Sequence, residues 1–149
     1  MRYVVGIDPG KKGGISVIQI DNPNEIHGHH KMPEVQSELL ELVRVLNRLF
    51  ATTGTGKIFI EQCTYRTNQR GIVNMLTNYG RLLGYIESVG ISYEVVSPQR
   101  WKKFFKLGSD KTDSINLANQ LFGTSFTKTQ DGLAESCLIA KYGLEQINK

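Results

Sequence analysis

The stretch YVVGIDPGKKGGISVI, residues 3–18, constrains the fold more than any other part of the chain. Tyr3 to Ile7 is apolar and β-branched, the glycine-rich turn DPGKKGG follows, and Ile15, Val17 and Ile18 resume an extended pattern up to DNPN, a second turn signal. This predicts a hairpin, with a third strand over Ile26–Met32. From Val35 to Phe50, apolar residues recur at helical spacing (Leu39, Leu42, Val43, Leu46, Leu49). Lys57–Ile60 then reads as a strand ending at Glu61, Ile72–Val89 as a helix stopped by Gly90, and Ser92–Val96 as a strand. Helices over Pro98–Phe105, Asp110–Phe122 and Gln130–Ile147 complete the chain. A meander followed by crossover helices implies an α/β fold, a mixed five-stranded sheet flanked by helices.

A chain of 149 residues can bury a core but is short for two domains, so one domain over 1–149 is expected. Its 40% hydrophobic and 21% charged residues are those of a globular protein. No apolar run approaches the roughly 20 residues of a membrane helix. The amino-terminal segment reads as strand and not as a secretory leader, so a cytoplasmic location is expected, in a bacterium or in the host of a virus. Cys63 and Cys137 lack CxxC spacing and companion ligands, which leaves them as buried free thiols. The net charge of +4 is concentrated in the middle of the chain. Arg66, Arg70, Arg81, Arg100, Lys102, Lys103, Lys106 and Lys111 are opposed there only by Glu87, Glu94 and Asp110, a balance suited to a nucleic-acid backbone.

Three acidic features stand where side chains reach a shared edge. Asp8 ends the first strand, Glu61 ends the fourth, and Asp131 opens the last helix with Glu135 one turn on. Ligands of open α/β sheets gather beyond strand ends, and residues four apart on a helix point the same way. The four carboxylates can therefore make an all-oxygen pocket whose mutual repulsion divalent cations relieve. Magnesium or manganese suits such ligands, and two ions roughly 4 Å apart can promote in-line attack on phosphorus. Taken singly, each acid has a plainer reading. Asp8 is then a turn residue, Glu61 an exposed strand end, Asp131 a first-turn acid at the positive end of a helix, and Glu135 a solvated helix residue.

In series, VVGIDPGKKGGISVI, KIFIEQ, YEVVSPQRWKKFFKLGSDK and DGLAESCLIAKYG resemble the RuvC-like Holliday junction resolvases of the RNase H-like superfamily, particularly the compact phage forms. The resemblance spans nearly the whole chain. It implies an RNase H-like fold and a crossover junction endodeoxyribonuclease: a homodimer that nicks a four-way DNA junction symmetrically. Two-metal phosphodiester hydrolysis would rest on Asp8, Glu61, Asp131 and Glu135 with two Mg2+ or Mn2+ ions. The last two acids are four residues apart where bacterial RuvC has three, and Glu135 stands where aspartate is usual, so which of them meets which ion stays open. By position in the family pattern, Lys111 would touch the cleaved phosphate or steady the transition state, and Lys102 or Lys103 matches a second such lysine to within a residue. Tyr65 is the nearest candidate for an aromatic side chain inserted at the junction point. Arg66, Arg70, Arg81 and Lys106 complete the basic DNA-binding set. The segment Asn68–Tyr85, with Asn74 and Asn78 beside Met75, Leu82 and Leu83, matches the family's dimer helix.

Other features are read more plainly. TTGTGKI lacks the Ser or Thr after Lys and the preceding strand of a phosphate loop, so no nucleotide cofactor is expected. His27, His29 and His30 lack further ligands and read as solvent-facing. Trp101, Phe104 and Phe105 anchor a short helix, leaving its lysines outward, or else stack on bases. The alternatives to a junction resolvase are a broader RNase H-like nuclease acting on branched DNA, hybrids or RNA, and a catalytically silent junction-binding protein. An actin-like nucleotide-binding protein would need a longer chain and a second phosphate loop.

Overall fold

The computed structural model describes residues 2–54, 56–65 and 67–149. Five strands, β1 (Tyr3–Asp8), β2 (Gly14–Gln19), β3 (Asn22–Lys31), β4 (Lys57–Glu61) and β5 (Tyr93–Val96), form one sheet in the order β3-β2-β1-β4-β5. The first three pair antiparallel, while β1, β4 and β5 run parallel. Helices α1 (Gln36–Thr53), α2 (Ile72–Ser88), α3 (Pro98–Phe104), α4 (Lys111–Phe122) and α5 (Asp131–Ile147) flank it, with a short 3-10 turn over Lys128–Gln130. The elements follow the expected order, but one turn moves. Only Ile20 and Asp21 separate β2 from β3, and Asn22 to Asn24 of the DNPN signal belong to the third strand. Pro23 is tolerated there because β3 is an edge strand.

β1 lies in the middle of the sheet and is buried on both faces, which is why its sequence is almost continuously apolar. The two-residue period of the strands divides the core. Tyr3, Val5 and Ile7 join Ile58 and Ile60 under α1 and α2, where Leu39, Val43, Leu46 and Phe50 form the buried stripe of α1. Val4 and Phe59 join Trp101, Ile115, Leu138 and Tyr142 of α3, α4 and α5 on the other face.

From Asp131 to Leu144 only Lys141 of α5 is not buried, because the sheet covers one side of this helix and α4 and α3 cover the other. Two glycines permit its close approach. A Cβ on Gly6 would stand 2.2 Å from Ser136 O and 2.3 Å from Ala140 N. A Cβ on Gly132 would lie 1.9 Å from Lys12 O, where Gly13 and Gly132 form an isolated parallel bridge. A buried 2.6 Å hydrogen bond between the Ser16 and Ser136 hydroxyls adds a polar pin. Cys137 is buried against Ser16, and burial pushes its thiol up to about 11. Cys63 departs from expectation: it is only partly buried, because the chain has left the sheet two residues before it and runs along a cleft. Among the described residues no helix is long and apolar enough to cross a membrane.

Candidate active site

Strand pairing and strand period together bring the first two acids side by side. Ile7 pairs with Ile60 across the parallel β1–β4 ladder, so Asp8 and Glu61 are the next residues on adjacent strands. Ile7 and Ile60 point toward α1 and α2, and alternation turns Asp8 and Glu61 to the face that α5 covers. There Glu135 meets them: one carboxylate oxygen from each of Asp8, Glu61 and Glu135 lies within 4.8 Å of the others. Glu135 is 5% exposed, and its Oε1 is buried without a hydrogen-bond partner.

Asp131 lines the same cleft but stands outside this triad. The helix places both acids on one face, as their spacing requires, yet Asp131 pairs with Lys111 Nζ at 2.5 Å. Lys102 Nζ lies 3.6 Å from Glu135 Oε1, which corrects the expectation that the lysines of α3 all face outward. Lys102 turns in because Trp101, fully buried beside it, fixes this end of α3 against the acids: the indole Nε1 donates to Glu61 Oε2 at 2.7 Å. Asp8 Oδ1 accepts from the Gly10 backbone N–H at 3.0 Å, the turn contact that its Asp-Pro-Gly context favours.

The triad is electrostatically costly. At an effective dielectric of about 20, two carboxylate charges about 5 Å apart repel by roughly 3 kcal/mol. Burial, then the charges of Glu61 and Glu135, raise the Asp8 carboxyl well above the usual carboxylate range. Burial also raises Glu61, against the lowering effect of the Trp101 N–H, and Glu135 raises it further. The hydrogen bond to Asp131 holds the Lys111 ammonium above its ordinary value. Burial and the charges of Glu61 and Asp8 raise the Cys63 thiol.

These residues fit a hard divalent cation. The donors are all carboxylate oxygens, they face one another, and one buried oxygen has no hydrogen-bond partner. Among the described residues no other group of His, Cys, Asp and Glu converges in this way, and the three histidines of β3 are exposed on the sheet edge.

The remaining candidates divide by position. Lys102 and Lys111 line the cleft; Lys103 and Lys106 are exposed beyond it on the α3 side. Tyr65 is 66% exposed on the segment that follows β4. Arg70 is exposed ahead of α2, and Arg81 lines a neighbouring cavity. Arg66 lies outside the described residues. Sequence reasoning missed Lys11 and Lys12, which line the cleft from the glycine-rich turn, and read Trp101 as a helix anchor or a base-stacking residue, not as a partner of Glu61. The lysine pair was visible between the glycines. The Trp101 contact was not, since it joins residues 40 apart.

No protein-family model matches the chain, and no curated protein matches its sequence. Solved structures do match. The chain is similar to Thermus thermophilus RuvC, with a TM-score of 0.67 and 16% identity over 98% of this chain and 96% of that one. It matches T. thermophilus RuvC in complex with a Holliday junction substrate at a TM-score of 0.67 and 14% identity, covering 99% and 96%. The yeast mitochondrial Holliday junction resolvase Ydc2 matches at a TM-score of 0.57 and 16% identity, covering 95% and 77%. The five-stranded mixed sheet flanked by helices is thus a RuvC-like, RNase H-like α/β fold.

Proposed function

We propose that this protein is a metal-dependent, structure-selective endonuclease that resolves four-way DNA junctions by symmetric phosphodiester hydrolysis. The observation that carries the reading is the convergence of Asp8, Glu61 and Glu135 around a buried oxygen without a hydrogen-bond partner, with Asp131 and two lysines in the same cleft. The likeness to RuvC, including the form bound to a Holliday junction, supports four-way DNA as the substrate. Asp8, Glu61 and Glu135, with Asp131 beside them, would hold Mg2+ or Mn2+. Such ions supply an activated water and charge stabilisation at the leaving oxygen. The chain's own residues do the rest. Trp101 orients Glu61, Lys111 and Lys102 bring cations that a phosphate can take over from the carboxylates, and Lys11 and Lys12 extend the basic rim. Tyr65, Arg66, Arg70, Arg81, Lys103 and Lys106 are the proposed outer DNA contacts.

A homodimer is part of the proposal, because symmetric cutting needs two sites related by a two-fold axis. Its support is the outer face of α2, where Val73, Thr77, Gly80 and Gly84 are exposed in one stripe. A Cβ on Gly80 or Gly84 would meet nothing within 4 Å. Two mid-helix glycines lower helix stability by about 1 kcal/mol each relative to alanine, so a reason for them lies outside the protomer, in close approach of a second helix.

The test is incubation of an end-labelled synthetic four-way junction with Mg2+ or Mn2+. Paired nicks placed symmetrically across the junction are expected, and Asp8→Asn is expected to abolish them while retaining junction binding. Equal cleavage of flaps or RNA–DNA hybrids would shift the reading to a broader nuclease. Binding without cleavage under every metal condition would reduce it to a junction-binding protein.

A further inference from the structure

A second cavity, of about 460 Å³, adjoins the acidic cleft on the α2 side of the Asp8 turn, and the proposed cleavage chemistry makes no use of it. Its size is that of sites for small organic ligands. Pro9, Gly10, Lys11 and Met75 line both the cavity and the cleft, so an extended strand crossing one passes the mouth of the other.

The lining combines two chemistries, and besides Arg81 it carries one charge of each sign, on Lys11 and Glu34. Met32 and Met75 supply polarizable thioethers, which make favourable contacts with flat aromatic rings. Asn74, Asn78 and Arg81 follow one another along α2 at spacings of four and three, and all three line the cavity. Arg81 Nη1 donates to Asn78 Oδ1 at 3.3 Å, which couples the guanidinium to that amide. A carboxamide presents a donor and an acceptor side by side, the pattern that matches a base edge, and a guanidinium pairs with guanine or phosphate. A purely apolar ligand has no use for these three polar groups, and a phosphate alone has none for the thioethers. A nucleotide uses both. At a four-way junction the strands exchange partners, and a base beside the crossover that loses a stacking neighbour is cheaper to turn out of the helix.

We propose that this cavity receives one unstacked nucleobase of the strand whose neighbouring phosphate lies at the acids, with Met32 and Met75 against its face and Asn74 and Asn78 reading its edge. The inference rests on the junction-nuclease reading and adds a source of sequence preference to the same site.

Two measurements test it. Junctions carrying 2-aminopurine at successive positions around the crossover are bound to Asp8→Asn protein, and fluorescence reports where a base unstacks. A rise confined to one position on each of the two cleaved strands is expected, as is its loss when Asn78→Phe is added to fill the cavity. In parallel, wild-type protein cleaves a junction library randomised around the crossover. A base preference of about tenfold or more is expected at the same position. It is expected to fall to about twofold in the double variant Asn74→Ala, Asn78→Ala, whose alanines favour the helix and whose fold circular dichroism checks. Uniform fluorescence at all positions, or an unchanged preference in the double variant, overturns the proposal. A position-specific rise without any wild-type cleavage supports the cavity's role and overturns the nuclease reading; absence of junction binding overturns both.

Discussion

At the scale of residues, the acidic triad is a cost to the fold that a bound cation would offset. Asp8 and Glu61 hold protons more tightly in the folded state than in the unfolded chain. The native state therefore binds more protons between the ordinary carboxylate range and the raised values, and in EDTA its stability should fall as pH rises through that window from about 4. Melting followed by calorimetry checks this. Asp8→Asn should flatten the slope and raise the melting temperature near neutral pH, whereas Mn2+ should raise it in the wild type and much less in the variant. Lys111 and Trp101 act on different members of the same group of acids, Asp131 and Glu61. Lys111→Met removes the partner of Asp131, leaves another buried carboxylate uncompensated, and should lower cleavage by about 100-fold, on the scale of losing one charge-stabilising donor. Trp101→Phe deletes the donor to Glu61, an interaction of about 1–3 kcal/mol, and should lower kcat/KM about tenfold in a steady-state assay on a synthetic junction.

At the scale of elements, α5 decides whether there is a site at all. Its seating depends on bare backbone at Gly6, where any side chain would collide with main-chain atoms of Ser136 and Ala140. Backbone cannot swing aside as the tip of a side chain can. Gly6→Ala should therefore cost about 3 kcal/mol or more in urea denaturation, toward the upper end for an overpacked core. Any protein that still folds should have lost its Mn2+ affinity, because Glu135 would be displaced from Asp8 and Glu61. Gly28, on the edge strand β3, has open space where its Cβ would go. Gly28→Ala should leave both properties within about 0.5 kcal/mol of wild type, the usual range for surface positions.

At the scale of the whole molecule, the proposed action on a junction joins the surface to the symmetry of the assembly. The exposed stripe of α2 offers a direct variant, Val73→Glu, since Val73 is 72% exposed and contributes nothing to the protomer's core. A charge there should leave the melting temperature unchanged while shifting sedimentation from dimer to monomer. It should convert paired nicks into single, uncoupled ones. Affinity for the junction should fall steeply with salt, as phosphate contacts by clustered lysines and arginines require, and less steeply after Lys103→Ala and Lys106→Ala together.

Much of the architecture was legible in the chain because it is local. Alternating apolar residues, helical periodicity and turn residues are short-range signals, and they set the order of elements from β1 to α5 to within a few residues. The same period of two places Asp8 and Glu61 at strand ends on one face once β1 and β4 pair. What the chain alone left open was the outcome of packing. Asp131 and Glu135 are equivalent in a helical wheel, but the depth and rotation of α5 over Gly6 bring Glu135 into the triad and leave Asp131 to Lys111. Trp101 likewise meets Glu61 across 40 residues of sequence. Periodicity along a chain fixes which face a side chain occupies, whereas the distances between faces are set by the contacts that helix and sheet make when they meet.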